Sequence, residues 1–203
     1  VICWKKFLEI VNLYEEPRKH PLFSEVEKIC CVGGGNVAMD VVRSARRIGL
    51  DAHLIYRRTE AMMPARKEEI LDAHLEGVVF HTLRDPLSVT LNHENKAEIE
   101  CAVTQLVEDP TNPRGSIQNT DATESFGCDM VVMAIGSSVK SLHEEGLHTD
   151  AYQRILVDEH QATSLKNVYA GGDAVTGSLT VIHALKTGKI AAASILKQLS
   201  EKN

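Results

Sequence analysis

Three consecutive glycines stand between an apolar run, residues 29–32, and a pattern that favours a helix. The first glycine permits a tight turn, the third lets the backbone approach an anion, and Ala38 lets the helix lie close to the strand. The first helical amides and the positive end of the helix dipole then face a phosphate. The spacing predicts a strand–turn–helix joint that binds the pyrophosphate of a dinucleotide. The predicted phosphate-binding residues are Gly33, Gly34, Gly35, Asn36 and Val37.

A second predicted strand, residues 52–56, ends at Arg57 and Arg58. An acidic residue at this point would bind the ribose 2′-hydroxyl of NAD, whereas two positive charges suit the 2′-phosphate of NADPH. We therefore predict that the cofactor is NADP(H). The alternative for this pair is a solvated strand end without a ligand. For Arg66, cofactor binding and ion pairing with the glutamates after it remain equally open.

The composition favours a globular protein and argues against nucleic-acid, membrane and metal binding. The 203 residues carry a net charge of -6, with 43% hydrophobic and 25% charged residues, which is ordinary for a globular protein. The acidic balance and the lack of a long apolar run predict no nucleic-acid partner and no membrane association. The five cysteines contain no C-x-x-C pair and indicate buried free thiols in a reducing compartment, so we expect a cytoplasmic protein. The histidines lack metal-ligand spacing, and we predict no metal site.

The order of elements predicts an α/β fold. An amphipathic helix within residues 1–14 and a linker precede a Rossmann-like, three-layer domain, for which we predict residues 26–138. Its expected parts are the glycine-loop strand and helix, the strand at 52–56, a helix from 63 to 75 and a strand at 78–83. An antiparallel hairpin over 86–107, a polar loop over 109–125 and a buried strand at 130–136 follow. The segment after it, 139–203, is predicted to hold short strands at 155–158 and 168–170 and a helix from Thr180.

Several motifs in this order resemble the small-subunit family of glutamate synthase and related NADPH-dependent flavoproteins. The motifs are VGGGNVAMD at 32–40, IYRRTE at 55–60, MPARKEE at 63–69, VMAIG at 132–136, YAGGDAVTG at 169–177 and the tail at 180–192. In that family an FAD domain is interrupted by an NADPH domain. The resemblance therefore implies that residues 1–25 precede the NADPH domain and that 139–203 form the C-terminal half of a split FAD domain.

The resemblance also assigns further cofactor-binding residues. Ala134 and Gly136 belong to the motif that closes the NADPH domain. Gly171, Gly172 and Asp173 are expected at the FAD pyrophosphate and ribityl chain. The start of the last helix, at Thr180 and Val181, is expected to point at the flavin ring. No residue of this chain is assigned a catalytic role, because hydride transfer between nicotinamide and flavin is cofactor chemistry.

The family's first glycine fingerprint and its cysteine-rich segment for iron–sulfur clusters do not occur in this sequence. We therefore expect the partners to be the missing FAD-domain half and an iron–sulfur domain or subunit. We expect the isolated chain to be inactive and its apolar last helix to promote self-association. The expected function is hydride transfer from NADPH to FAD and on to iron–sulfur centres. The alternatives are a subunit of an NADPH–ferredoxin oxidoreductase and a non-catalytic nucleotide-binding or interaction module.

Overall fold

Eight strands and five α-helices make up the described part of the chain in a computed structural model. The structure describes residues 1–93, 96–107, 115–136, 144–177 and 179–201. The strands are β1 Ile2–Cys3, β2 Lys28–Val32, β3 Asp51–Tyr56, β4 Val79–Thr82, β5 Arg84–Leu91, β6 Ala97–Val107, β7 Ser116–Cys128 and β8 Met130–Met133. The helices are α1 Trp4–Leu13, α2 Asn36–Arg47, α3 Lys67–Leu75, α4 Asp173–Thr176 and α5 Val181–Ser200. The chain divides into two compact units, Val1–Gly136 and Ser137–Asn203.

The first unit is built in three layers around a parallel sheet of strand order β1-β8-β2-β3-β4. Helices α1, α2 and α3 cover one face, where Phe7, Met39 and Ala73 are fully buried. The antiparallel sheet β5-β6-β7 covers the other face, and Ile99 of β6 is buried there. The predicted α/β, three-layer fold is therefore confirmed. The opening helix, which the sequence placed ahead of this domain, packs in the same core.

Strand β2 shows why the sheet has two cores. Successive side chains of a strand point to opposite faces. Cys31 accordingly lies in the core under the helices, while Cys30 lies in the core beneath the antiparallel sheet. Both thiols are free and fully buried, as the sequence predicted, whereas Cys3 is exposed and departs from that expectation. Burial of every residue from Ile29 to Val32 explains the continuous apolar run.

Three sequence predictions about elements are wrong. The helix predicted from residue 63 begins only at Lys67, because the amides of Ala65 and Arg66 bond to Gly34 O and to the Asn36 side chain instead. The predicted loop at 109–125 is strand β7 from Ser116 onward, while residues 108–114 lie outside the described part. The short strands at 155–158 and 168–170 are single bridges, Thr149 with Ile155, Val157 with Thr163 and Ala162 with Tyr169.

The other two errors have different causes. Strand β7 is held by its backbone ladder to β6, and most of its side chains are exposed, so its sequence carries no apolar alternation. In the second unit, Gln153, Gln161 and Asn167 adopt left-handed backbone conformations and turn the chain after one or two residues of pairing. The hairpin predicted over 86–107, by contrast, is present as β5 and β6, and it closes at Asn92 and Lys96.

A histidine pair lies between the two sheets of the first unit. His53 Nδ1 and His81 Nε2 are 2.7 Å apart, the rings are stacked, and His53 Nε2 is 3.0 Å from Asp51 Oδ2. Burial lowers the pKa of His81 below its ordinary 6.5, and the neighbouring His53 lowers it further. Lys28 and Arg84 act in the same direction, while Glu124 opposes them. Protonation of His81 is therefore disfavoured in the folded state.

This pair predicts a loss of stability on mild acidification. Below pH 6.5 the unfolded chain binds more protons at His81 than the folded chain, so the free energy of unfolding falls as the pH falls. We expect a decrease of up to about 1 kcal/mol between about pH 7.5 and about pH 6 in urea unfolding. His81→Gln should remove most of that decrease, and replacing the exposed His148 by glutamine should not. An equal pH dependence in the wild type and the His81 variant would contradict the assignment.

Candidate functional site

The carboxyl ends of three neighbouring parallel strands meet at one edge of the sheet. The glycine loop follows β2, the arginine pair follows β3, and residues 134–136 follow β8. Between β2 and β8 the strand order reverses its direction, and the crevice at such a point is where open α/β sheets bind ligands. The structure thus brings the sequence-predicted residues of the first unit to a single edge.

The three glycines have different surroundings. Gly33 has a φ of +150°, and a Cβ there would stand 2.4 Å from the Ala134 carbonyl oxygen. A Cβ on Gly34 would stand 2.5 Å from the Tyr56 ring. A Cβ on Gly35 would meet only Pro64 Cγ, at 4.0 Å. Close packing therefore explains why Gly33 and Gly34 have no side chain, whereas Gly35 lies beside open space.

The start of α2 offers free backbone donors beside that space. Gly35 is the N-cap residue and has no side chain to cap the helix. The amides of Ala38 and Met39 bond back to the Gly35 carbonyl oxygen, at 2.9 and 3.2 Å. Within the described residues, no hydrogen-bond acceptor is found for the amides of Asn36 and Val37. Unpaired donors at a helix N-terminus, next to a glycine that leaves room, fit a phosphate group.

Residues 63–66 form a non-helical, bent segment beside the glycine loop. Ala65 N donates to Gly34 O at 3.1 Å, and Arg66 N donates to the Asn36 side-chain oxygen at 2.9 Å. At the preceding turn, the Tyr56 hydroxyl donates to Met62 O at 3.1 Å. These bonds place the exposed Arg66 next to the start of α2. The Asn36 side chain and Tyr56 thus have positioning roles that the sequence did not reveal.

Charge around α2 is mixed. Burial raises the pKa of Asp40, and the nearby Glu69 raises it further, while Arg43 and Arg66 lower it. Arg43 is occupied by ion pairs with Glu69, Asp72 and Glu76 that join α2 to α3. No such pair is recorded for Arg66 among the described residues, so the ion pairing with its following glutamates that the sequence left open is not seen.

The two arginines after β3 are held differently. The Arg57 side chain is exposed, and the described residues provide it with no ion-pair partner. Arg58 is half-buried, and its Nη1 donates to Gly115 O at 3.3 Å, ahead of β7. Arg57 is therefore the more available of the two for an incoming anion. On the other side of the crevice, Ala134 N donates to Val32 O at 2.8 Å, and Gly136 has a φ of +105° and open space around it.

The remaining predicted residues lie in the second unit. The amide of Gly172 donates to Thr187 Oγ1 at 2.7 Å, and Gly171 approaches the backbone of α5 so closely that a Cβ would be 3.0 Å from Gly188 N. Thr180 caps α5 by accepting from His183 N. An open groove of about 620 Å³ lies at this helix start, between Asp173, Val181 and Gly188.

Helix α5 carries a largely uncovered apolar surface. Val181 is 76% exposed, Leu185 57% and Leu199 55%. The apolar surface of the last helix, from which the sequence led us to expect self-association, is therefore exposed. None of the helices in the described ranges is both long and apolar enough to cross a membrane.

Comparison with known proteins decides the family. The model of the pyridine nucleotide-disulphide oxidoreductases matches residues 6–188. The chain belongs to this family. The family consists of oxidoreductases, and membership in it implies binding of FAD and NAD(P).

Curated relatives of this family member confirm the resemblance drawn from the motifs. It is 39% identical over 200 residues to the NADP(+)-dependent formate dehydrogenase subunit beta of Moorella thermoacetica, covering 97% of this chain and 28% of the relative. It is 31% identical over 197 residues to the glutamate synthase [NADPH] small chain of Escherichia coli K12, covering 92% and 42%. The chain thus spans less than half the length of either relative.

Solved structures agree on the fold of this oxidoreductase family. The crystal structure of T. acidophilum thioredoxin reductase matches 84% of this chain and 52% of its own, with a TM-score of 0.67 and 18% identity. FprA from Mycobacterium tuberculosis matches 90% and 56%, with a TM-score of 0.63 and 18% identity. At this level of identity the likeness concerns the fold alone.

Proposed function

We propose that the first unit binds NADPH at the edge formed by the glycine loop, the arginine pair and residues 134–136. The observation that carries this proposal is the start of α2, where free amides of Asn36 and Val37 adjoin the open side of Gly35. Arg57 supplies a positive charge at the end of the neighbouring strand for the 2′-phosphate. Two relatives are named for this cofactor, an NADP(+)-dependent formate dehydrogenase subunit and a glutamate synthase [NADPH] small chain, which supports the same choice.

Each residue has a defined task in this proposal. The α2 amides and the Gly35 backbone bind the pyrophosphate, and residues 134–136 line the opposite wall. Arg57, with Arg66 across the loop, neutralises the 2′-phosphate. When bound, NADPH supplies the hydride, and the residues of this chain bind and orient it.

We propose further that the second unit is the C-terminal half of an FAD site. Gly171, Gly172 and Asp173 precede the α5 start, where Thr180 and Val181 present the positive end of a 20-residue helix. The exposed face of α5 supports the idea that a further domain covers it in the complete protein. In that protein FAD would accept the hydride and pass electrons to iron–sulfur centres of a partner domain or subunit, and glutamate synthesis is one use of such electrons.

The NADPH proposal is tested by calorimetric titration of the 203-residue chain with NADPH and with NADH. We expect NADPH to bind at least about tenfold more tightly, a difference of ~1.4 kcal/mol. Equal affinities, or tighter binding of NADH, would contradict the role given to the arginine pair. Absence of any binding would contradict the site itself.

The FAD proposal predicts that this chain alone retains no flavin and oxidises no NADPH, because half of the FAD-binding surface lies outside it. After purification with added FAD and desalting, the visible spectrum should show no flavin bands. Light scattering should reveal self-association that a Leu185→Glu and Leu199→Glu double variant abolishes, since both side chains are exposed on α5. Flavin bands that persist through desalting would overturn the half-site interpretation.

A further inference from the structure

Thr104 is a polar residue in a buried and otherwise apolar part of the structure. It lies on β6 and is only 3% exposed, in a strand whose other buried residues are Ala97, Ile99, Cys101 and Ala102. A buried hydroxyl is stable only if it is hydrogen-bonded. The Thr104 hydroxyl donates to the Arg57 carbonyl oxygen at 2.9 Å, across 47 residues of sequence.

The same residue makes a second bond toward the end of β3. Thr104 N donates to Leu83 O at 2.9 Å, and Leu83 N donates to Arg58 O at 3.0 Å. Two successive carbonyl groups are thus held: that of Arg57 by Thr104 of the antiparallel sheet, and that of Arg58 by Leu83, the residue between β4 and β5. The register of β6 against β7 shifts between Ala102 and Thr104. A shift of this kind re-aims side chains locally, which explains how Thr104 reaches across to β3.

Leu83 adds a mark of strain at this junction. Its φ is +57°, a left-handed conformation that is unfavourable for a residue with a Cβ. Its two backbone bonds, to Arg58 and to Thr104, hold it there. Such strain persists only where the surrounding structure holds the residue in that conformation. Strained residues of this kind occur frequently at ligand-binding sites.

We propose that the Thr104 hydroxyl is the positioning contact that orients Arg57 toward the 2′-phosphate, so that the antiparallel sheet sets the preference for NADPH over NADH. This inference rests on the proposed NADPH site. With the Arg57 carbonyl fixed, the peptide plane between the arginines cannot rotate, and the guanidinium starts from a fixed backbone. Thr104 does not touch the cofactor.

The test compares the affinities for NADPH and NADH in variants of Thr104. Thr104→Val keeps the shape and removes the hydroxyl, and we expect it to weaken NADPH binding about three- to tenfold, the equivalent of one hydrogen bond. NADH binding should change less than about twofold. Thr104→Ser retains the hydroxyl and should restore the NADPH preference. Thr120→Val is the matched control, because its hydroxyl donates to Val103 O at 2.8 Å on the same sheet and should leave the preference unchanged.

The outcomes separate the inference from the proposed function. A wild-type chain that prefers NADPH, with a Thr104→Val variant that keeps the full preference, would overturn the positioning role alone. Equal weakening of NADPH and NADH would show a purely structural role and would also overturn it. A wild-type chain that binds both cofactors equally would overturn the role of the arginine pair, and with it this inference, while absence of any binding would overturn the proposed site itself. If the valine variant does not fold, the pair Thr104→Ser and Thr104→Ala gives the same comparison, with and without a hydroxyl.

Discussion

Replacing Gly33 by alanine is expected to unfold much of the chain, whereas replacing Gly35 by alanine should leave it folded but unable to hold NADPH tightly. At Gly33 the new Cβ would stand 2.4 Å from the Ala134 carbonyl oxygen, which belongs to the backbone after β8 and cannot move without disturbing the sheet. The φ of +150° is also unfavourable for alanine. We expect a loss of about 3 kcal/mol or more in the free energy of unfolding.

Gly35 is the matched control for this substitution. Its φ of -91° and ψ of 176° suit alanine, and the added Cβ would meet only Pro64 Cγ, at 4.0 Å. The stability should fall by less than about 1 kcal/mol, the usual range for alanine at an N-cap. The methyl group would nevertheless occupy the space through which a phosphate approaches the α2 amides. We expect NADPH affinity to fall about tenfold or more, or ~1.4 kcal/mol.

Urea unfolding and calorimetric titration of the two variants check both halves of this prediction. A Gly35→Ala chain that binds NADPH like the wild type would show that the phosphate lies elsewhere. A Gly33→Ala chain as stable as the wild type would contradict the close approach of the glycine loop to β8.

Arg57→Ala is expected to have the largest effect on cofactor choice. The Arg57 guanidinium is exposed and unpaired among the described residues, so its removal should leave the fold intact. The loss of a hydrogen bond to a charged phosphate should cost NADPH about 1.5–3 kcal/mol, and NADH little. Titration of the variant with both cofactors measures the difference directly.

Arg47→Ala provides the control for a general loss of positive charge. Arg47 ends α2, about 16 Å along the helix axis from Asn36 at its start. Its side chain pairs with Glu76 and is 61% exposed. This variant should keep the wild-type preference for NADPH. A similar loss of NADPH affinity in both variants would mean that the effect is long-range electrostatics and that Arg57 makes no specific contact.

Much of the edge that forms the candidate site could be predicted from the sequence. The glycine loop was readable because its turn, its strand and its helix are adjacent in the chain, and local conformation decides them. The opposite orientation of Cys30 and Cys31 followed from the two-residue period of a strand. The position of Arg57 at the end of β3 followed from the length of the strand before it.

What the sequence did not reveal depends on contacts between distant segments. Residues 63–66 have helix-compatible residue types, but their amides bond to the glycine loop and to Asn36, about 30 residues earlier. The role of Thr104 depends on a register shift in β6 that no local pattern announces. Its only signal was a polar residue after the alternating apolar positions Ile99 and Cys101. In each case tertiary hydrogen bonds outweighed the local propensity.

The most direct test of the central claim is an amide chemical-shift map of the chain titrated with NADPH. The account predicts that the largest shifts fall on Gly35, Asn36 and Val37, with further shifts at Arg57 and Arg58 that are absent when NADH replaces NADPH. Largest shifts in the second unit, around Gly172 and Val181, would contradict the claim that the glycine loop of the first unit binds the cofactor phosphate.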